Sequence, residues 1–134
     1  MSDKKYTDEN GNHCMIDVSV VTEYLSFQSQ PEDNHYVFAY HITITNQSLV
    51  DVKLLTRHWV IIDANQQRQE VNGIGVIGEQ PHIASGDSYH YSSGVVLNTP
   101  VGTMHGSYQL EDATGNTIEA PIHPFLLAMP NKVH

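Results

Sequence analysis

His35-Tyr36-Val37-Phe38-Ala39-Tyr40-His41-Ile42-Thr43-Ile44-Thr45 decides the fold class. Tyr36, Phe38, Tyr40, Ile42 and Ile44 fall on one parity, and His35, Val37, Ala39, His41, Thr43 and Thr45 on the other. Side chains of an extended chain alternate between two sides, so this is a strand with one buried face and one face toward water. On its N-terminal side, Gln30-Pro31-Glu32-Asp33-Asn34 reads as a turn, and Ile16-Asp17-Val18-Ser19-Val20 opens an earlier strand that runs toward Leu25. On its C-terminal side, Asn46-Gln47-Ser48 closes it. Val52 to Ile62 follows, apolar at both parities near its end (Trp59-Val60-Ile61-Ile62), as a central strand would be. Asp63-Ala64-Asn65 then turns the chain into Gln69-Glu70-Val71.

The remaining segments repeat this grammar. Gly73 to Gly78 is a glycine-rich loop ended by Pro81, and Ser85-Gly86-Asp87 is a turn. Tyr89 and Tyr91 share a face of the next strand, which Val95-Val96-Leu97 continues past Gly94. Thr99-Pro100 leads to Thr103–Glu111, with Met104, Tyr108 and Leu110 on one face, and Asp112 to Asn116 is a hairpin turn. The last strand, Thr117 to Leu127, contains Pro121 and Pro124, which lack a ladder donor. It should be an edge strand or bulged. Seven or eight strands and no helix longer than a turn predict an all-β, antiparallel β-sandwich of immunoglobulin or fibronectin type III kind. Its core should hold Phe38, Tyr40, Trp59, Ile61 and Tyr108. The sequence divides into a flexible arm over 1–14, the sandwich over 15–128 and a tail over 129–134.

The chain has 134 residues, enough for one domain with a proper core. No run of 18 apolar residues occurs, so no membrane span or membrane partner is expected. The N-terminal stretch MSDKKYTDENGNHC lacks the apolar centre of a signal peptide, and Cys14 stands alone, which together predict a cytoplasmic setting. Fifteen acids against six basic residues give a net charge of −9, and the lysines and arginines are scattered rather than striped, which argues against a nucleic-acid partner.

Three motifs invite chemistry. Gly73-Ile74-Gly75-Val76-Ile77-Gly78 spells G-x-G-x-x-G, but a dinucleotide loop opens a helix, and here Pro81 and Ser85-Gly86 exclude one. A backbone nest for a small anion at this loop stays open. Nine histidines show no chelating spacing: His35 and His41 share a face but stand about 20 Å apart along a strand. No metal site and no cofactor is expected. For nucleophilic catalysis, Cys14 lies on the arm, Ser92 and Ser93 merely flank His90, and Glu70, Glu79 and Asp87 have no paired carboxylate, so no catalytic residues are assigned and an enzyme is not expected.

From residue 16 to 127 the chain resembles the bacterial ApaG family, also called CorD. The resemblance rests on Arg57-His58-Trp59, Asp63, Val71, Gly73 to Pro81, Gly86 and Tyr91-Ser92-Ser93-Gly94. It continues through Thr99-Pro100, Gly102-Thr103-Met104-His105-Gly106-Ser107-Tyr108, Ile122, Phe125 and Leu127. Asn65 and Ala84-Ser85-Gly86 depart from the family pattern at turns. The resemblance implies a fibronectin type III-like sandwich with no established enzymatic activity and a link to cobalt and magnesium tolerance. It also implies related domains fused in eukaryotic F-box and polymerase-interacting proteins.

Two functional readings follow. The first is a non-enzymatic protein-binding or regulatory module that contacts an unidentified protein partner through Gly73, Ile74, Gly75, Val76, Ile77 and Gly78. Three apolar side chains in a loop expected to face water motivate it. The second is a small-ligand module holding a nucleotide phosphate or a divalent cation at the same loop. A weak homodimer stays open as well.

Overall fold

The computed structural model describes residues 5–7 and 13–131. Where described, the expected N-terminal arm is strand: β1 (Lys5–Thr7) pairs antiparallel with the start of β2 (His13–Tyr24). The rest of that arm, and the tail beyond Asn131, lie outside the described residues. β3 (Tyr36–Asn46), β4 (Val52–Asp63), β5 (Arg68–Ile74), β6 (His82–Ile83), β7 (Ser88–Leu97), β8 (Val101–Asp112) and β9 (Thr117–Ala128) complete the strands. Two single turns of 3₁₀ helix, Ser26–Gln28 and Pro31–Asp33, join β2 to β3. One sheet runs β1-β2-β3-β7. The other runs β5-β4-β8-β9, with β6 on the same edge of β4 beyond β5. This is the antiparallel sandwich expected from the alternation, in the fibronectin type III-like arrangement.

The core is the inner parity of each strand. Tyr36, Phe38, Tyr40, Ile42 and Ile44 are all buried, and they meet Trp59, Ile61, Met104, Tyr108 and Leu110 from the opposite sheet. β4 changes its inner parity midway. Val52 and Leu54 are buried at even positions, Trp59 and Ile61 at odd ones, because the register with β8 slips between Leu54 and Thr56. The extra residue, Leu55, is a β-bulge, and a one-residue slip exchanges the two faces of everything beyond it. Val60 is buried from the outer face as well, in keeping with the central position of β4.

Both expectations for the proline-bearing strand hold together. β9 is the edge of its sheet, and its pairing with β8 slips between Phe125↔Met104 and Ile122↔Gly106, which places Pro124 in a bulge. An edge position with a bulge removes the need for the missing N–H.

The β8–β9 turn is organised by Asp112. Its Oδ1 accepts hydrogen bonds from Thr114 Oγ1 at 2.6 Å, Thr114 N at 2.9 Å and Asn116 N at 3.0 Å. Burial alone would push this carboxyl up, but the three donors and the Asn116 side chain outweigh it and hold the group below the usual aspartate range. A depressed folded-state value contributes stability that is present above the unfolded value, near pH 4, and is lost as pH falls through the folded one. Asp112→Asn should therefore destabilise the protein clearly at pH 7 and much less at acid pH. Urea melts of both proteins at the two ends of this window check it. An equal gap at both pH values would contradict the assignment.

Candidate functional site

The bulge that sets the parity of β4 also shapes the glycine-rich tract. β5 pairs with β4 as far as Ile74↔Thr56, so Gly73 and Ile74 end a strand instead of opening a loop. Beyond them the Leu55 carbonyl, turned out of the ladder by the bulge, accepts hydrogen bonds from Gly75 N at 2.8 Å and Gln80 Nε2 at 3.0 Å. Val76 and Glu79 then close a tight hairpin through reciprocal N–H···O bonds of 2.8 and 2.9 Å. Ile77 and Gly78 form its tip with φ of 41° and 81°, the two positive values that a mirrored two-residue hairpin turn needs.

Arg57 holds this hairpin in place. It lies opposite Gly73 in the β4–β5 register, and its Nη1 donates to Gly75 O at 2.8 Å and Ile74 O at 3.3 Å. The guanidinium crosses Gly73 so closely that a Cβ there would lie 2.5 Å from it. At Gly75, φ is +67° and a Cβ would come within 2.1 Å of Glu79 O. These two glycines therefore serve close approach and turn geometry, and no helix follows them.

The three apolar residues expected to face water together are divided by the fold. Val76 is fully buried and joins the core, so its place among exposed contact residues is corrected: the hairpin turns this side chain inward under the bulge. Ile74 and Ile77 stay outside, 74% and 57% exposed. The amide nest for a phosphate is also largely engaged, since the N–H groups of Gly75, Val76 and Glu79 all donate to protein carbonyls.

His41, His58 and His90 lie on outer sheet faces. His58 Nε2–H donates to Glu70 Oε2 at 2.8 Å. That bond, together with the nearby Arg68 charge, holds the Glu70 carboxyl below its usual range. On the other sheet, His41 bridges Glu23 (3.2 Å from Nε2) and Ser92 (2.6 Å from Nδ1), and His90 pairs with Thr43. A carboxylate oxygen accepts, so His41 Nε2–H donates to Glu23. Local reading placed Ser92 beside His90; cross-strand pairing of β3 with β7 sets it opposite His41 instead. His41 and Glu23 are 43% and 59% exposed on a flat sheet face, where water screens their charges. Among the described residues no three His, Cys, Asp or Glu side chains gather as metal ligands do.

Nothing in the sequence indicated what Arg57 touches. Its partner carbonyls lie 17 and 18 residues away, and no periodicity announces that contact.

The comparisons with known proteins agree with this architecture. The ApaG domain model matches residues 26–112. Protein ApaG of Azoarcus sp. (strain BH72) is 56% identical over 119 residues, 89% of this chain and 94% of that protein. Protein ApaG of Pseudomonas fluorescens (strain SBW25) is 52% identical over the whole length of both. A crystal structure of an ApaA protein from Bordetella pertussis superposes with a TM-score of 0.86 at 44% identity, covering 88% of this chain and 96% of that one. With the sandwich topology and the clamped hairpin, these matches lead to one conclusion: the chain belongs to the ApaG family.

Proposed function

We propose that this chain is a non-enzymatic protein-binding module whose contact is the hairpin knob of Ile74 and Ile77. The observation that carries the reading is Ile77. A β-branched residue at φ 41° is a backbone outlier, and the side chain is exposed, so the conformation brings no burial in return. Glycine or asparagine would occupy this position at lower cost, by about 1–2 kcal/mol. An exposed isoleucine held there rigidly, beside exposed Ile74, is an apolar contact presented at the expense of stability.

The reading of a nucleotide or divalent cation at the same loop has less support, because three hairpin amides already have acceptors. A link to cobalt and magnesium tolerance then fits an indirect effect through a partner protein. A cytoplasmic setting fits a chain whose sole cysteine leaves no internal disulfide. Among the described residues no helix is long and apolar enough to cross a membrane.

Ile77→Asn tests the proposal through two opposed readouts. Unfolding free energy should rise by about 1 kcal/mol as the strain is relieved. Capture of the partner from cell lysate, read by mass spectrometry, should be lost. A variant that gains stability and still captures every wild-type partner would remove the knob from consideration. Size exclusion of both proteins separates self-association from a second protein.

A further inference from the structure

We propose that the cleft between β5 and β7 is a binding site for a small monocarboxylate with an apolar body, its carboxylate set against Arg57 and its body against Trp59. β5 and β7 are edges of opposite sheets, and between them the sandwich opens into a cleft of about 550 Å³. That volume lies in the range of small-molecule sites. Buried Tyr40, Trp59 and Met104 and half-buried Val71 and Val95 line it. Apart from the Tyr40 hydroxyl and the Trp59 indole, its polar side chains are few: Arg57, Gln69 and Ser93.

The charge on Arg57 points to an acid. Arg57 is half-buried, and in a protein with 15 acidic residues against 6 basic ones no carboxylate of the described residues lies within ion-pair distance of it. Its hydrogen bonds go through Nη1 to two neutral carbonyls. Its field reaches Tyr91 and Tyr108, whose phenols hydrogen-bond each other at 2.5 Å and are pushed well above the usual tyrosine range by burial. A partly desolvated cation is ordinarily matched by an anion. The guanidinium of Arg57 offers only donors, and a carboxylate offers only acceptors. The apolar walls select a ligand whose remaining surface is hydrocarbon. This site is separate from the Ile74–Ile77 knob, so either proposal can fail alone.

Trp59 is the sole tryptophan, so its fluorescence reports on the cleft directly. The probe is decanoate below its micelle concentration, compared with decanol and with decyltrimethylammonium. Decanoate should shift the Trp59 emission saturably and bind at least about tenfold tighter than either control, the ratio expected of one charge-assisted hydrogen bond. Arg57→Met should lower decanoate affinity to that of decanol. Because Arg57 also clamps the hairpin, Ser93→Phe gives a second test: Ser93 lines the cleft on the inner face of β7, opposite Tyr40, and is half-exposed, so a ring there fills the cleft and should abolish the shift in a protein that melts normally. Ile77→Asn should leave decanoate binding unchanged. Equal affinity for decanoate and decanol, no saturable shift, or full binding by the Ser93→Phe variant would each overturn the proposal.

Discussion

Trp59→Ala should lower the unfolding free energy by about 3–5 kcal/mol, the range found for large aromatic deletions in cores. Trp59 is 2% exposed and stands where the two sheets meet. Its ring packs edge-on against Tyr40 at 5.4 Å, Tyr108 at 6.2 Å and Phe125 at 5.9 Å. Such pairs contribute about 0.5–1.5 kcal/mol each beyond buried area, and truncation removes all three while leaving a cavity in the rigid interior of two sheets. Trp59→Phe should cost clearly less, because it keeps an aromatic ring there and deletes an indole donor that has no acceptor among the described residues. Denaturant melts followed by circular dichroism check both, since the fluorescent reporter is the residue removed. A loss below about 1 kcal/mol for Trp59→Ala would contradict its place in the core.

Val76→Asp should unfold the domain, whereas Ile74→Asp, two residues earlier, should leave it standing. Val76 has no exposed surface, and a carboxylate there would lie in the core without a partner, a cost upwards of about 3 kcal/mol. Ile74 is mostly exposed, so its replacement should change stability by no more than about 1 kcal/mol, as surface changes do. The same pair separates the structural and contact roles of the tract: Ile74→Asp should weaken partner capture at unchanged stability. Thermal and urea melts of the two variants, beside a pull-down with the soluble one, give the readout. A well-folded Val76→Asp would mean that the hairpin is not anchored through this side chain.

Strand existence was legible in the chain because alternation is a local property. A buried face and a wet face follow from the pleat whatever partner the strand takes. Tyr36 to Thr45 showed it, and its inner residues are all buried; Val37, on the face expected to meet water, is buried as well. The prolines of β9 announced an edge and a bulge for the same reason, since a missing N–H is a fact about one residue. Phe38, Tyr40, Trp59, Ile61 and Tyr108 could be named as core from parity and size alone.

Contacts made across the fold were not legible. The bulge at Leu55 leaves no mark in composition, yet it reverses the parity of β4, frees a carbonyl for Gly75 and Gln80, and so decides how the hairpin sits. Three isoleucine and valine side chains within four residues look alike in sequence. Only the hairpin's path over the bulge buries Val76 and exposes Ile74 and Ile77. Likewise Ser92 meets His41, and Arg57 reaches the carbonyls of Ile74 and Gly75, through cross-strand registers fixed by the whole sandwich. The sequence by itself determined the all-β class, the inner face of β3 and the large residues of the core, because pleat, residue size and turn chemistry act within a few residues. The tertiary structure alone decided which tract residues reach solvent and which charge stays unmatched, because those depend on groups brought together from distant parts of the chain.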